Sequence, residues 1–415
     1  MDREIIVIGG GVIGLSCAYY LNKVGLPVTV IERGDITSGT SFGNAGYISP
    51  SHFVPLASPG IIAKGLRWML SSSSPFYIKP RIDPALVRWG IAFWRSANEK
   101  KMQRNIPHLN NILHLSRELM TDIKNDLGNQ FRMAEKGCFM LYKSAGTQSH
   151  ELDLAREAEK LGIKTRILSR NEIQQMEPEV EVDVLGGVLY SDDCHLHPGD
   201  FMATLKDHLR INGVRFLLNT EVKGFECAAS SIRAILTDGG RLKCSDVVAA
   251  AGSWLPNVLR LLGISILMQP GKGYSITYEN VDRNLQYPAI LVDDRVAMTP
   301  MLNDLRMGGT MEISGINDKV LIKRVQAIFN AAKRYYPNLN LQFPETRRIW
   351  SGLRPLSPDG LPYIGKHRKF TNLAIAGGHA MLGLSLAAAT GKLIAETLSN
   401  QITSIDCSAF AVERY

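Results

Sequence analysis

The chain has 415 residues, 45% of them hydrophobic and 21% charged, a globular composition that excludes a fibrous or intrinsically disordered protein. The length exceeds one ordinary hydrophobic core, so two domains are expected. The net charge of +8 comes from scattered lysines and arginines, without a basic tract or zinc-finger spacing, and nucleic-acid binding is therefore not expected.

Residues 4–33 carry the most specific pattern of the chain. An apolar strand over residues 5–8 leads directly into the glycine motif Gly9-x-Gly11-x-x-Gly14, which is followed by a helix and by a second strand over residues 28–31 that ends at Glu32. Strand, glycine turn, helix, strand and acid in this order predict a dinucleotide-binding site. The pattern does not decide between FAD and NAD. A glycine-rich turn that binds nothing would leave Glu32 unexplained.

Each part of this pattern has a physical role. Gly9 allows the tight turn, Gly11 lets the backbone approach a pyrophosphate, and Gly14 lets the helix pack closely on the strand. The helix N-terminus directs N–H groups at the phosphates, and the acid can accept hydrogen bonds from the ribose hydroxyls. The contacts predicted at this end of the cofactor are Gly9, Gly11, Val12, Ile13, Gly14, Glu32 and Arg33.

Residues 34–60 form a long segment that is rich in Gly, Ser, Thr, Asn and Pro and is predicted to be irregular. A loop of this length beside a nucleotide site is more often functional than not. Residues 61–70 then predict an apolar helix with Lys64 and Arg67, which suits either a membrane surface or a domain interface. Residues 71–84 predict an exposed connection, and residues 85–128 are predicted to be helical.

Strands and helices alternate through the rest of the chain. Strands are predicted over residues 137–142, 186–190, 214–218, 247–251, 273–280, 296–311 and 373–376, with helices over 151–162, 198–212, 317–336 and 381–398. The pair His195-x-His197, with Asp192 and Asp193, invites a metal site. The two histidines have no second cluster, however, and a turn before a helix that starts near Pro198 is the simpler interpretation. No metal is therefore predicted.

Three later features favour FAD. The loop Thr40-Ser41-x-x-Asn44-Ala45-Gly46 can follow the pyrophosphate to the ring, and the strand over 247–251 with Gly252 lets backbone approach the cofactor. The turn Gly377-Gly378 precedes a predicted helix, whose N–H groups would stabilise negative charge on a reduced flavin. The further predicted cofactor contacts are Thr40, Ser41, Asn44, Ala45, Gly46, Val222, Gly252, Gly378, His379, Met381, Leu382, Gly383 and Leu384.

Several segments make the chain similar to a known family. They include GGGVIGLSCAYYL, NAGYISP, KGYSITYE (272–279), LRMGGTMEISGIN (305–317), GLRPLSPDGLPYIG (352–365) and GGHAMLGLSLAAATG. The chain resembles the D-amino-acid oxidase superfamily of flavoproteins over nearly its full length, and within it the bacterial D-amino-acid dehydrogenases. The resemblance implies FAD, an amino-acid substrate, and hydride transfer from Cα to flavin N5. It further implies an imine that hydrolyses to a 2-oxo acid and ammonia, and a quinone-type electron acceptor.

The expected fold is α/β (α+β, two-domain), because βα patterns stand at the beginning, middle and end of the chain. A Rossmann-like FAD-binding domain is predicted from residues 1–58, 150–268 and 345–415. A substrate-binding domain, built on an antiparallel sheet plus helices, is predicted to be inserted as residues 59–149 and 269–344.

Arg354 in GLRP is the predicted carboxylate-binding residue, since a guanidinium forms two parallel hydrogen bonds to a carboxylate. The resemblance implies the same role, because Arg354 stands where the family has its carboxylate-binding arginine. The alternative is an arginine in a structural ion pair. Tyr274 resembles a family tyrosine that contacts the same carboxylate, although a core tyrosine is nearly as plausible. Tyr47, His52 and Arg306 are candidates for the substrate pocket. No general base is required if the amine binds neutral, because positioning then suffices.

Other functions remain possible for a flavoprotein with this sequence. They are an oxidase that uses O₂, an enzyme for secondary amines such as D-hydroxyproline, glycine or sarcosine, and a non-catalytic flavin-binding subunit with partner subunits. The preference for D over L rests on the resemblance alone. The six cysteines contain no CxxC and predict reduced thiols in the cytoplasm. The need to reach a quinone suggests a peripheral position on the cytoplasmic face of the inner membrane.

Overall fold

The computed structural model describes residues 3–37, 39–63, 65 and 74–415, with the exception of the Arg347 side chain. The strands are numbered along the chain: β1 (Ile5–Ile8), β2 (Val28–Ile31), β3 (Tyr47–Ile48), β4 (Phe76–Ile78), β5 (Cys138–Tyr142), β6 (Thr165–Ser169), β7 (Gly186–Tyr190), β8 (Cys194–His195), β9 (Arg215–Leu217), β10 (Val222–Ala228), β11 (Ser231–Thr237), β12 (Gly240–Lys243), β13 (Asp246–Ala249), β14 (Gln269–Tyr278), β15 (Ala289–Leu291), β16 (Val296–Met301), β17 (Asp304–Ile313), β18 (Ile349–Leu356), β19 (Tyr363–Lys366) and β20 (Leu373–Gly377). The α-helices are α1 (Val12–Lys23), α2 (Pro84–Ser96), α3 (Glu99–Leu127), α4 (Ala145–Lys160), α5 (Arg170–Met176), α6 (Pro198–Ile211), α7 (Leu255–Arg260), α8 (Ile322–Tyr335) and α9 (Ala387–Leu398).

The first sheet has the order β19-β20-β13-β1-β2-β9 and is parallel except for β19. All four residues of β1 are buried, because the sheet is covered on both faces. Ile5 and Val7 face the helical layer that contains α1 and α9, whereas Ile6 and Ile8 join a cluster with residues of β11 and α7. The glycine turn therefore lies at the carboxyl end of a central strand, where ligands bind in such sheets.

The second sheet has the order β18-β14-β17-β16-β15-β5-β7-β6, with β4 paired to the far end of β17. It is antiparallel except for the pairs β15–β5 and β4–β17. Helix α8 packs against β15, β16 and β17. The two sheets confirm the predicted fold class, a mixed α/β two-domain fold with one parallel and one mostly antiparallel sheet.

The sheets divide the chain differently from the predicted domain boundaries in three places. Strands β6 and β7 lie in the second sheet although residues 150–268 were assigned to the cofactor domain, and β18 lies there although it follows residue 345. Helix α3, assigned to the substrate domain, packs on α9 and contributes to the core of the first sheet. Apolar periodicity predicts that a segment is a strand or a helix, but it does not say which layer the segment joins.

Local boundaries follow capping chemistry. Residues 85–128 form two helices, because the Asn98 side chain accepts a hydrogen bond from the Lys101 N–H (3.0 Å) and starts α3 anew. The last helix begins at Ala387, six residues later than predicted, and turns occupy residues 380–386. Helix α6 begins at Pro198, as predicted.

Within the described ranges, every helix is too short or too polar to cross a bilayer. Most of the helix predicted over residues 61–70, including Lys64 and Arg67, lies outside the residues that the structure describes. The predicted surface role of that helix stays a prediction.

Candidate cofactor and substrate site

A cavity of about 1260 Å³ is lined by residues of both sheets and of the loops around residues 39–56 and 376–385. Its volume exceeds that of a usual single-ligand pocket, which is about 300–1,000 Å³. Most predicted site residues line it. The exceptions among them are Gly14, Gly46, Gly378 and Arg306.

The glycine turn is shaped by contacts that exclude side chains. Gly9 has φ +113°, and a Cβ there would lie 2.5 Å from the carbonyl oxygen of Ala250. A Cβ on Gly14 would overlap the carbonyl oxygen of Gly9. Gly11 meets only the Ser41 hydroxyl, at 3.3 Å, so the space above it is open to a ligand. Three glycines thus form a cradle whose open side is the cavity.

Glu32 is held against this turn. Its carboxylate accepts hydrogen bonds from the N–H groups of Gly10 (2.7 Å) and Gly34 (2.9 Å), and the side chain lines the cavity. Nearby, the guanidinium of Arg33 lies 3.7 Å from the centre of the Trp254 ring. Trp254 also lines the cavity and was not predicted as a site residue. Its position directly after Gly252-Ser253, next to a predicted cofactor contact, could have indicated it.

The loop after β2 is fixed to the second sheet by its carbonyl groups. The carbonyls of Gly43, Asn44 and Ala45 accept hydrogen bonds from Ser275 Oγ (3.2 Å), Arg306 Nη1 (2.7 Å) and Thr299 Oγ1 (2.7 Å), respectively. Arg306 is 7% exposed, and burial lowers its pKa to about 10. Arg306 does not line the cavity, because its guanidinium holds this loop, and its predicted role in the substrate pocket stays a prediction.

Three further residues of this loop shape its course. The Thr40 hydroxyl donates to the carbonyl of Leu353 (3.2 Å) and accepts from its N–H (3.0 Å), which covers the edge of β18. Ser41 Oγ accepts from the Val12 N–H (3.0 Å) at the start of α1. Gly46 has φ +86°, and a Cβ there would overlap the carbonyl of Leu196.

Arg354 faces the cavity from β18, and its side chain lies over Gly273 of the neighbouring strand. Its Nη1 donates to the carbonyl of Thr310 (2.7 Å), and no carboxylate among the described residues pairs with it. Burial lowers its pKa to about 10, so the guanidinium remains charged at neutral pH. A partly buried cation without an anion is costly, and Arg354 is therefore a candidate for binding an anionic ligand.

Thr310 lies at a β-bulge in β17, opposite Gly273. Its φ of +65° is rare for a β-branched residue, and such strain is concentrated at functional sites. The bulge directs the carbonyl of Thr310 at Arg354, while its hydroxyl is buried without a partner at the cavity wall. Sequence reasoning missed this residue, since the bulge is a property of strand register.

Tyr274 projects from the opposite face of β14. Its hydroxyl donates to Glu312 Oε2 (2.7 Å) and accepts from the Leu321 N–H (3.2 Å), and burial raises the pKa of this hydroxyl. Glu312 also pairs with the buried Lys272 (3.4 Å). Because side chains alternate along a strand, Tyr274 points away from the side of β14 on which Arg354 lies over Gly273. Tyr274 nevertheless lines the cavity, and its contact with a substrate carboxylate stays a prediction.

Tyr47 and His52 both line the cavity. The Tyr47 hydroxyl is shared between the carbonyls of Ala289 (3.0 Å) and Met298 (2.8 Å). Burial, followed by the charge of Arg295, lowers the pKa of His52 to about 4, so the ring is neutral at physiological pH. Arg295 lines this wall as well and is attracted to the buried Glu151. The sequence analysis did not single out Arg295.

His379 stands at the turn predicted to meet the flavin. It is 2% exposed, its Nε2 is hydrogen-bonded to Thr390 Oγ1 (3.0 Å), and its Nδ1 is buried without a partner. Burial lowers its pKa to about 3. Met381, Leu382, Gly383 and Leu384 line the cavity beside it, but in a series of turns and not at a helix N-terminus as predicted. Gly378, with φ +76°, packs on Tyr363.

His195 and His197, the two histidines of the metal site that was considered and not predicted, make other contacts. His195 pairs with Tyr47 in the short ladder of β3 and β8, and the His197 side chain accepts from the Asp200 N–H (3.1 Å) at the start of α6. Asp193 binds Ser51 Oγ (2.6 Å). The described residues contain no cluster of three metal-binding side chains.

These observations fit a dinucleotide flavin. The glycine cradle and Glu32 suit the ADP half, and His379, whose Nδ1 is buried without a partner, lines the same cavity. The DAO family, described as FAD dependent oxidoreductase, matches residues 4–397. The chain belongs to this family of FAD-dependent oxidoreductases. When bound, FAD supplies the acceptor for two electrons and a hydride.

Full-length relatives agree with this family, and a solved structure agrees with the fold. The chain is 31% identical to a D-amino acid dehydrogenase of Bradyrhizobium diazoefficiens, over 99% of each chain. It is 33% identical to one of Vibrio atlanticus, over 99% of this chain and 100% of that one. Glycine oxidase from Geobacillus kaustophilus superimposes with a TM-score of 0.79 at 22% identity, over 100% and 99% of the two chains.

Gly273→Ala is expected to displace Arg354, because the added Cβ would overlap the guanidinium. The end of an arginine side chain can move, so the fold and bound FAD should be retained while the KM of the substrate rises about tenfold. Gly224→Ala, on β10 and in ordinary contact only, is the control. Unchanged substrate affinity in Gly273→Ala would show that substrate binding does not depend on the position of the Arg354 side chain over Gly273.

Asp193→Asn tests whether the buried carboxyl group of Asp193 makes the stability of the protein depend on pH. Burial raises the pKa of the Asp193 carboxyl from 3.8 to about 7, so the folded state holds the proton more tightly than the unfolded chain does. The free energy of unfolding should therefore fall as pH rises from about 4 to 7, by up to about 1.4 kcal/mol per pH unit. Urea unfolding across this range is expected to show the decline in the native protein and a flatter profile in the variant. Parallel profiles would contradict the shift.

Proposed function

We propose that this flavoprotein is a dehydrogenase of D-amino acids. The observation that carries the proposal is Arg354, a charged guanidinium that faces the cofactor cavity without a carboxylate partner among the described residues. A substrate carboxylate would supply the missing anion through two parallel hydrogen bonds. The full-length relatives, which are named D-amino acid dehydrogenase, support both the substrate class and the acceptor class.

In the proposed reaction the amine binds neutral, and a hydride passes from Cα to N5 of FAD. The product is an iminium carboxylate, which water hydrolyses to a 2-oxo acid and ammonia. The chain binds and orients the substrate: Arg354 fixes the carboxylate, and the carbonyl of Thr310 fixes Arg354. His52 and His379 are neutral at physiological pH, so neither adds a positive charge that would oppose hydride departure.

Electrons are proposed to pass on to a quinone, a choice that the word dehydrogenase in the names of the relatives supports over O₂. A cytoplasmic protein at the inner face of the membrane would meet such an acceptor.

The test is an anaerobic screen of flavin reduction against both enantiomers of each amino acid, with glycine, sarcosine and cis-4-hydroxy-D-proline. D-Amino acids are expected to bleach the flavin band near 450 nm (approximately, for any oxidised flavin), and their L-enantiomers are not. Reduction by L-enantiomers or secondary amines alone would overturn the proposed substrate class. Rapid turnover with O₂ as sole acceptor would identify an oxidase.

A further inference from the structure

The cavity has two chemically different regions on its second-sheet wall. Arg354 reaches across β14 to the carbonyl of Thr310, and Arg295 directly precedes Val296, which pairs with Gly309 on the other side of β17. The two arginines therefore flank β17 at the level of Thr310, and a line through these three residues divides the wall. On one side of this line the wall includes the small residues Ser275, Ala297 and Gly308.

On the other side of the line the wall is apolar and aromatic. Strands β4 and β17 end there, and helix α2 covers them. Trp89 and Phe93 stack face to face, with ring centres 5.0 Å apart and an interplanar angle of 17°. The apolar end of the cavity is lined by Phe76, Ile78, Trp89, Phe93, Ile313 and Ile316.

This apolar end adjoins the position predicted for the flavin ring. Trp89 Nε1 donates to the carbonyl of Leu356 (2.8 Å), two residues after Arg354. Ala380, in the turn after His379, packs against the same apolar cluster. A planar molecule in this space would therefore lie beside the redox-active edge of the cofactor and near the substrate carboxylate.

The same end of the cavity reaches an apolar outer surface. Trp94 lines the cavity and is 65% exposed. Val87 and Ile91 are exposed on the same side of α2 at helical spacing, and Ile82 just before the helix is fully exposed. Monomeric proteins expose few such groups together unless they meet an apolar partner. A polar amino acid would gain little from an apolar entrance of this kind beside Trp94.

We propose that the apolar end of the cavity, beneath α2, is the binding site of a quinone electron acceptor, which enters past Trp94. This inference rests on the proposed dehydrogenase function. The quinone takes a hydride from N5 of the reduced cofactor and one proton from solvent, which gives the quinol and regenerates FAD. The stacked aromatic wall suits a planar ring, and the uncharged side chains of Phe76, Ile78, Trp89, Phe93 and Ile313 suit an uncharged one.

The test uses the FAD-loaded protein and a short-chain ubiquinone analogue. Phe93→Ala removes half of the aromatic stack, and Ile316→Ser changes an exposed loop residue of the same wall, which limits any effect on folding. Both variants are expected to raise the KM for the quinone about tenfold. The rate of anaerobic flavin reduction by the amino acid should change less than twofold. Ile211→Ser, an exposed site far from α2 in the chain, is the control.

A second readout does not depend on turnover. The quinone is expected to quench tryptophan fluorescence of the FAD-loaded protein, and Phe93→Ala should shift the quenching midpoint about tenfold upward. A rise in the KM of large apolar amino acids with unchanged quinone affinity would overturn the proposal and assign this wall to the substrate side chain. If no amino acid reduces the flavin, the proposed function fails, whereas the quenching measurement still decides whether the quinone binds here.

Discussion

Arg354→Leu is expected to raise the KM for the amino acid by about a hundredfold or more while the bound flavin keeps its spectrum. The guanidinium faces the cavity near Thr310 and pairs with no carboxylate of the residues that the structure describes, so its removal would leave the substrate carboxylate unpaired. Loss of one member of a buried charge pair costs roughly 2–5 kcal/mol. The measurement is anaerobic flavin reduction as a function of substrate concentration.

Two controls separate binding from structure. Arg354→Lys keeps the charge but loses the two-pronged geometry, and it should fall between the native protein and the leucine variant. Arg354→Leu should also unfold no more easily than the native protein, because the partly buried guanidinium has no ion pair with any described residue to lose. Retained substrate affinity in Arg354→Leu, or a large loss of stability, would rule out carboxylate capture and indicate a structural arginine.

Gly14→Ala is expected to abolish stable FAD binding. The new Cβ would overlap the carbonyl oxygen of Gly9, a backbone atom that cannot move without opening the turn. Overpacking of this kind costs about 1–3 kcal/mol in stability, and displacement of the turn should weaken FAD binding at least about tenfold. The ratio of flavin to protein after gel filtration and the midpoint of thermal unfolding are the two measurements.

Gly146→Ala is the matched control for this substitution. Gly146 lies in the first turn of α4, where a Cβ would meet nothing within 4 Å. Alanine there should be neutral or should stabilise the protein by up to about 1 kcal/mol, because it favours the helix and restricts the unfolded chain. Full FAD occupancy in Gly14→Ala would mean that the turn tolerates the shift.

Local chemistry made the first part of the molecule predictable. The strands over Ile5–Ile8 and Val28–Ile31 have the predicted bounds, and Gly9 has the positive φ that a tight turn requires. Each of these features depends on residues within about thirty positions of one another. Arg354 was found in the same way, through a motif that resembles a known family, and it does line the cavity.

The contacts of a strand residue depend on which face of the sheet its side chain occupies. Arg306 and Tyr274 are both on strands of the second sheet, yet one holds the loop carbonyls and the other binds Glu312. A shift of one position moves a side chain to the opposite face, and no residue type encodes that shift. The bulge at Thr310 and the cavity position of Arg295 were missed for the same reason.

By itself, the sequence determined the dinucleotide turn, the family and the guanidinium expected to bind the substrate, because each depends on motifs of residues that are close together in the chain. The tertiary structure alone decided the sheet to which β6, β7 and β18 belong, the partner that each buried polar group takes, and the aromatic wall under α2. Those features come from strand register and from packing between distant segments. Their energies depend on neighbours that the linear order of residues does not specify.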